Sequence, residues 1–533
     1  MNGYLIALIV FVAWIALIYA LHKSKWLERH NMSLYGPMIM WKTTKGKDFI
    51  DRLASRKTFW KLYGMASLWI CAVAMGLITL LLLWEATIVP QIEEAPAPEL
   101  ILGIPGLNPV IPLGYGILGL VIAIVVHEMS HGVMTRLGGM KVMSMGVVFL
   151  VFPAGAFVEP DEHELRSTTR AKRSKVYAAG PASNILLSLI ILGLFSGVMM
   201  SSVEPVHDGA LTTGVVAGSP AEIAGISPTS VVVSIGGSVI ASASDFEDRT
   251  ASSPGTNVTV EYYFKGELRS AEVMDGVVVA YVAEGFAAYE GGIRTGMVLV
   301  SVDGSTIDST EALSEEMLGK HAGQTVTVVV MSYSDSAGAF VVDTSITVLT
   351  LSDKWDYYEE YDPDNNDPSY QGIGYLGGGF LSMGLRTADA DYYSAVLSRP
   401  FEGDSDLSDF SNSWLRLIAL PFLDLAPLRS PVTDLYEPSG WFAWMPDSAF
   451  WLLTNSFYWI FWLNLMIGLT NVLPAVPLDG GYLFRDAFDY LVDRKGTKYT
   501  KEKREQLVGT ISIAFALLIL ALILWQLVGP ALW

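Results

Sequence analysis

The chain alternates between long apolar runs and short charged ones. Apolar stretches cover residues 1–21, 63–90, 109–135, 176–200, 450–469 and 507–532. A span needs about 20 such residues, so the pattern predicts about six membrane helices. Residues 142–158 are also apolar, but Pro153 and Gly155 break them and they are rich in strand formers. That stretch is short for a helix span and predicts a re-entrant β-hairpin, which lipid tolerates only where protein covers the backbone. From residue 203 to about 350 the period changes to short hydrophobic strands between glycine turns, the signature of soluble α+β structure. Residues 352–372 are rich in Asp, Tyr and Asn and read as a linker. Trp414–Leu428 is apolar but holds Arg416, Pro421 and Asp424, which places it at the membrane surface or docked on a domain. The predicted fold is a multi-span α-helical membrane protein with a re-entrant hairpin and two inserted domains. It divides at 1–202, 203–275, 276–351, 352–449 and 450–533.

The inserted region repeats itself. Ala221 to Ile240 aligns with Ala288 to Ile307 in one register: Gly225 with Gly292, Ser234 with Ser301, Gly237 with Gly304. After a one-residue shift, Gly255–Val260 aligns with Gly323–Val328. Each copy reads as loop, short helix, turn, hydrophobic strand, turn, helix and closing strand. The pattern beginning Ser219-Pro-Ala-x-x-Ala-Gly-Ile resembles the PDZ domain, with Gly285-Phe-Ala-Ala288 standing for Gly218-Ser-Pro-Ala221 in the second copy. Such domains bind extended peptides by adding a strand to a sheet edge. Two β-rich spacers without a ligand are the competing reading.

Composition supports the membrane assignment. The chain has 533 residues, 51% of them hydrophobic, and a mean hydropathy of +0.40, too apolar for an ordinary soluble enzyme. The single cysteine, Cys71, excludes an internal disulfide framework and a cysteine-based zinc site. The net charge of −20 argues against nucleic acid as a partner. Basic residues crowd 22–61, 136–141, 166–175 and 485–504, whereas 91–100 is acidic, with Glu93, Glu94 and Glu99. The positive-inside rule therefore puts those basic segments in the cytoplasm and the inserted region outside. The first apolar run has its charges after it and no small-residue cleavage site, so it reads as a retained span rather than a signal peptide.

Chemistry concentrates at the end of the third apolar run, in His127-Glu128-Met-Ser-His131. On a helix, positions four apart share a face, so two imidazoles can hold one metal. Glu128 lies close enough to take a proton from water there. Ionisable groups at such depth cost several kcal/mol unless paired or functional, which weighs against a chance match on a core helix. A catalytic zinc uses three protein ligands and leaves a position open. The other histidines, His22, His30, His163, His207 and His321, sit in polar connections. A carboxylate is therefore expected as the third ligand. Asp479 ends an apolar run after Asn471, Pro474 and Pro477 and before Gly480-Gly481, where prolines break the helix and glycines allow a turn that aims a side chain. The charge-based topology brings it to the same membrane face as the histidines. Glu159, Glu162 and His163 form a competing cluster.

Three motifs together resemble the site-2 protease family of intramembrane zinc metalloproteases: His127-Glu-Met-Ser-His131, Gly180-Pro-x-x-Asn184 and Asn471-x-x-Pro-x-x-Pro-Leu-Asp-Gly-Gly481. Pro105-Gly-Leu-Asn-Pro109 and Pro153-Ala-Gly-Ala-Phe-Val158 are similar to stretches of its larger members, and the tandem insert is similar to that of certain bacterial ones. The resemblance implies one zinc ion on His127, His131 and Asp479, Glu128 as general base, and Asn184, Asn471, Pro474 and Pro477 near the substrate. It implies regulated cutting of membrane-anchored proteins in or near their transmembrane helix; the inserted pair, joined directly to the fourth span, is expected to act as a size filter that admits substrates already trimmed by another protease. It further implies a multi-pass protein of the cell membrane with its active site toward the cytoplasm. Residues 352–449 match no part of that family. An inactive peptide-sensing scaffold and a metal transporter remain as other classes. The intact ligand set argues against the first, and a glutamate beside the histidines of a single site argues against the second.

Overall fold

The computed structural model describes residues 3–532 apart from 44, 93–94, 102, 151, 250–253, 343–346, 404–406 and 495–499. Glu93, Glu94, Lys495 and Lys498, which enter the charge-based topology, lie outside the described residues. The chain forms two compact units: 1–198 with 404–427 and 452–533, and 199–403 with 428–451.

The first unit is helical. Its elements are α1 (Gly3–Lys23), β1 (Met32–Tyr35), β2 (Met38–Thr43), α2 (Lys47–Ala54), α3 (Lys57–Ile88), α4 (Leu113–Leu137), β3 (Val142–Leu150), β4 (Phe152–Pro160) and α5 (Arg170–Leu194). It continues with most of α6 (Asp447–Asn471), then α7 (Asp479–Arg494) and α8 (Lys501–Val528). Among the described residues, five helices are long and apolar enough to cross a membrane: α3, α4, α5, α6 and α8. The first expected span falls on α1, whose apolar part is described from Ile9 onward.

Small residues govern the packing. α5 lies against α3, α4 and α7, and its stretch Ala178-Ala179-Gly180-Pro181-Ala182-Ser183-Asn184 is buried throughout. Without large side chains the backbones approach closely, which is how helices associate in lipid. Gly119 does the same for α4 and α6: a Cβ there would stand 2.8 Å from the Trp459 carbonyl oxygen. Ionic contacts tie one end of the bundle. Arg170 bonds Asp489 at 2.7 Å and Asp493 at 3.0 Å, and Arg504 bonds Asp489 at 3.0 Å and Asp493 at 2.7 Å. Arg173 pairs with the buried Asp486.

The expected hairpin is present as β3 and β4. It belongs to a larger sheet, in the order β1-β2-β3-β4, because residues 32–43 pair with it, Ile39 opposite Phe149 and Lys42 opposite Gly146. β4 is an edge strand. α2 packs on α4 through Ile50, which is fully buried with Val133 and Val158, and Asp51 receives a hydrogen bond from Arg136 at 2.8 Å. The helix Leu407–Ala419 docks on α6: Tyr458 Oη donates to the Leu417 carbonyl at 2.8 Å and Trp462 Nε1 to that of Ile418 at 2.9 Å.

The second unit contains two sheets of matching topology. The strand order of one is 267–274, 257–264, 231–235, 210–215 and 385–389. In the other it is 339–342, 325–334, 298–302, 277–282 and 378–382. Each has its own core, one around Val232, Val260 and Phe246, the other around Leu299, Val328 and Leu313. Gly225 and Gly292 occupy equivalent helix ends at φ +84° and +79°, a backbone conformation that favours glycine. In the first copy Ser219 caps the short helix by accepting from Glu222 N, and Gly218 N donates to Glu222 Oε2 at 2.7 Å. In the second copy Phe286 offers no such cap. Residues 354–361 form a helix whose Tyr357 is buried against Phe286, Tyr361 and Tyr375. The segment after it supplies the last strand of both sheets.

Candidate metal centre

His127 and His131 project from one face of α4, as their spacing requires. Asp479 reaches them from the first turn of α7. The turn before α7 needs its glycines: a Cβ on Gly480 would lie 2.1 Å from the Val472 carbonyl oxygen, and one on Gly481 2.4 Å from Val476 N. The chain can thus fold back on the end of α6 and aim Asp479 at the histidines. His127 Nε2 lies 3.0 Å and His131 Nε2 3.2 Å from Asp479 Oδ2, and the two Nε2 atoms are 3.0 Å apart. Their side chains are only 10%, 14% and 19% exposed. Among the described residues this is the one group of three or more His, Cys, Asp or Glu side chains placed to hold a metal ion.

The donor set fits zinc. Ligands about 2.0–2.1 Å from a tetrahedral ion stand about 3.3 Å from one another, and these three atoms are within a few tenths of an ångström of that. The space for an ion is also kept open. Gly180 of α5 faces the histidines, and a Cβ there would fall 2.4 Å from His131 Nε2 and 2.6 Å from His127 Nε2. Any side chain at 180 would press on both imidazole Nε2 atoms. His131 is oriented from behind, its Nδ1–H donating to the Val176 carbonyl at 2.7 Å, which turns the lone pair of Nε2 toward the site.

Glu128 is anchored by the hairpin. Its Oε2 accepts from the backbone N–H of Val158 at 2.9 Å, so this amide faces away from β3 and β4 meets the motif helix along its free edge. Gly132 lets that strand come close: its Cβ would meet Ile50 Cδ1 and Val158 Cγ1, each at 3.0 Å.

The other candidate residues separate. Glu159 is committed to Ser144 and Lys42. The hydrogen bond from Ser144, with that from Lys42, holds its carboxyl below the usual carboxylate range against partial burial. Glu162 pairs with Arg166 at 3.0 Å and His163 is exposed. Asn471 is half-buried, and its Nδ2 donates to the Ile467 carbonyl of its own helix at 3.0 Å. Pro474 is buried and Pro477 exposed. Asn184 is fully buried, with Nδ2 3.3 Å from His127 Nδ1. The Val158 amide and the Val176 carbonyl are contacts that sequence reasoning misses, because backbone groups carry no residue signature.

An uncharacterized protein of Methanocaldococcus jannaschii is 31% identical over 199 residues, 36% of this chain and 50% of that protein. The chain thus spans about half the length of this relative. The family model for Peptidase family M50 matches residues 115–519, which begin in α4, end in α8 and enclose all three converging side chains. The chain belongs to peptidase family M50, the site-2 protease family of metallopeptidases.

Proposed function

We propose that this integral membrane metallopeptidase is an intramembrane zinc endopeptidase that cuts membrane-anchored proteins within or near a transmembrane helix. The observation that carries the reading is the convergence of His127, His131 and Asp479 to within 3.2 Å of one another, on a helix that also carries Glu128 next to His127. When bound, zinc supplies a Lewis acid that polarises the scissile carbonyl and acidifies water at the site. Glu128 is the general base. With Oε2 held by the Val158 amide, its other oxygen takes the proton of the attacking water and returns it to the leaving amine. A transmembrane helix hides its carbonyls, so the substrate must unwind to be cut. The outer edge of β4 ahead of Val158, which no further strand covers in the sheet order, offers the unwound segment the backbone partners that lipid lacks. Asn471, Pro474 and Pro477 precede Asp479 in the chain and are assigned to the substrate side.

We assign the active site to the cytoplasmic end of the bundle and the second unit to the outside of the cell membrane, on the charge pattern of the connections. Cysteine labelling from either side of the membrane tests this. The two sheets are read as PDZ-like domains. Supporting this, a cavity of about 490 Å³ runs between the helix Thr310–Met317 and the strand Gly378–Ser382, lined by Leu313, Met317, Leu318, His321 and Phe380. That strand ends its sheet, so an extended peptide could pair with it. Joined to spans at both ends, the pair acts first as a size filter that admits substrates already trimmed by another protease, with peptide binding secondary. A bare metal site discriminates poorly between apolar helices, one methylene being worth only about 1–3 kcal/mol.

The ligand assignment is tested by metal content. One zinc per chain is expected, and it should be lost in His127→Ala, His131→Ala and Asp479→Asn. Full retention in Asp479→Asn, with loss in Glu159→Ala or His163→Ala, would overturn it.

A further inference from the structure

Val176, Gly180 and Asn184 follow one another at four-residue spacing on α5 and face His131 and His127, themselves four apart on α4. The Val176 carbonyl takes the Nδ1–H of His131 at 2.7 Å, and Gly180 leaves the space between the two Nε2 atoms empty. The third position is not accounted for by substrate contact. Asn184 has no exposed surface, its amide stands 3.3 Å from His127 Nδ1, and its Oδ1 is buried without a hydrogen-bond partner among the described residues.

A neutral imidazole that ligates a metal through Nε2 carries its proton on Nδ1, and that proton needs an acceptor. Asn184 is the side chain facing it. An amide presents either oxygen or nitrogen at the same place after a half-turn of its last torsion, and which one it presents follows the hydrogen-bond network. We propose that Asn184 is a positioning residue for His127: with the metal bound, its Oδ1 accepts from His127 Nδ1–H and so fixes the ring in the tautomer that offers Nε2. This inference rests on the ligand assignment above and replaces the substrate-side role that the motif resemblance gives Asn184.

The test is zinc affinity of the detergent-purified full chain, by competition with a chromogenic chelator, for wild type, Asn184→Leu, Asn184→Asp and Asp479→Asn. Leucine keeps the branching of asparagine, though it is bulkier, and cannot accept a hydrogen bond, so Asn184→Leu should bind zinc about 10–100-fold more weakly. Asn184→Asp accepts from Nδ1–H as Oδ1 does and should bind within a few-fold of wild type. The visible spectrum of the Co²⁺-loaded protein should shift in Asn184→Leu and be restored in Asn184→Asp. Wild-type affinity in Asn184→Leu, or equal losses in both variants, overturns the proposal, the first in favour of a substrate role and the second in favour of packing alone. If Asn184→Leu does not fold, Asn184→Ala takes its place under the same criteria. Asp479→Asn separates the two levels, because undiminished affinity there refutes the ligand assignment itself.

Discussion

Gly180→Ala adds one methyl group and should empty the metal site. Its Cβ would sit 2.4 Å from His131 Nε2 and 2.6 Å from His127 Nε2. Carbon and nitrogen in contact need about 3.5 Å, so α5 must retreat from α4 by about 1 Å. Retreat withdraws the Val176 carbonyl and the Asn184 amide, which bond the two rings from that helix. Catalytic constellations tolerate about 0.5 Å of displacement, and about 1 Å costs about 100-fold in rate. If α5 does not retreat, the methyl forces the two Nε2 atoms out of their present positions, and zinc loses two of its three ligands. Either way cleavage falls by at least about 100-fold, and overpacking costs about 1–3 kcal/mol of stability. The assay is zinc per chain by elemental analysis alongside cleavage of a membrane peptide. Gly193→Ala on the same helix is the control, since a Cβ there meets nothing within 4 Å among the described residues. Its effect should be neutral, or a gain of up to about 1 kcal/mol from the better helix former. One zinc per chain with wild-type cleavage in Gly180→Ala would refute the reasoning that α5 walls the site.

Other expectations follow from the same geometry. Arg173→Met leaves the buried Asp486 without its counter-charge, with only the Ser174 hydroxyl bonded to it, and should destabilise the fold by up to about 3 kcal/mol, with less loss in the Arg173→Met/Asp486→Leu double variant. Equal thermal stability of wild type and the single variant would remove that pair from the account. Deleting residues 208–389 with a short linker, a boundary that takes in the last strand of both sheets, should leave zinc bound and admit substrates with intact outer domains. Loss of cutting of a trimmed substrate by that form would show that the pair recruits substrate instead.

Much of the candidate site is legible in the sequence because its chemistry is local. Four-residue spacing puts His127 and His131 together, and prolines and glycines around Asp479 mark a backbone built to aim one side chain. The repeat is legible for the same reason, since each copy keeps its glycines in register. What escapes is long-range pairing. Residues 32–43 read as a basic connection because Met32–Tyr35 is mostly exposed and shows no alternation, and nothing in them names β3 as the partner of β2. α2 carries a usable signal, Ile50, Leu53 and Ala54 at helical spacing, masked by the flanking lysines and arginines. Residues 352–372 read as an acidic linker because their order comes from an aromatic cluster around Tyr357, and residues 378–389 carry no clear signal because their strands complete sheets begun more than a hundred residues earlier. Asn184 is visible as a motif residue, but its partner emerges only when α4 and α5 are packed.

The central claim is that Glu128 moves the proton in a reaction at the His127–His131–Asp479 centre. The most direct measurement reconstitutes wild type and Glu128→Gln in lipid with a fluorogenic transmembrane peptide and records zinc content and cleavage together. Glutamine keeps the shape of the side chain but cannot take the proton. The account predicts one zinc per chain in both proteins, with cleavage in wild type and none above background in the variant. Undiminished cleavage by zinc-loaded Glu128→Gln would contradict it.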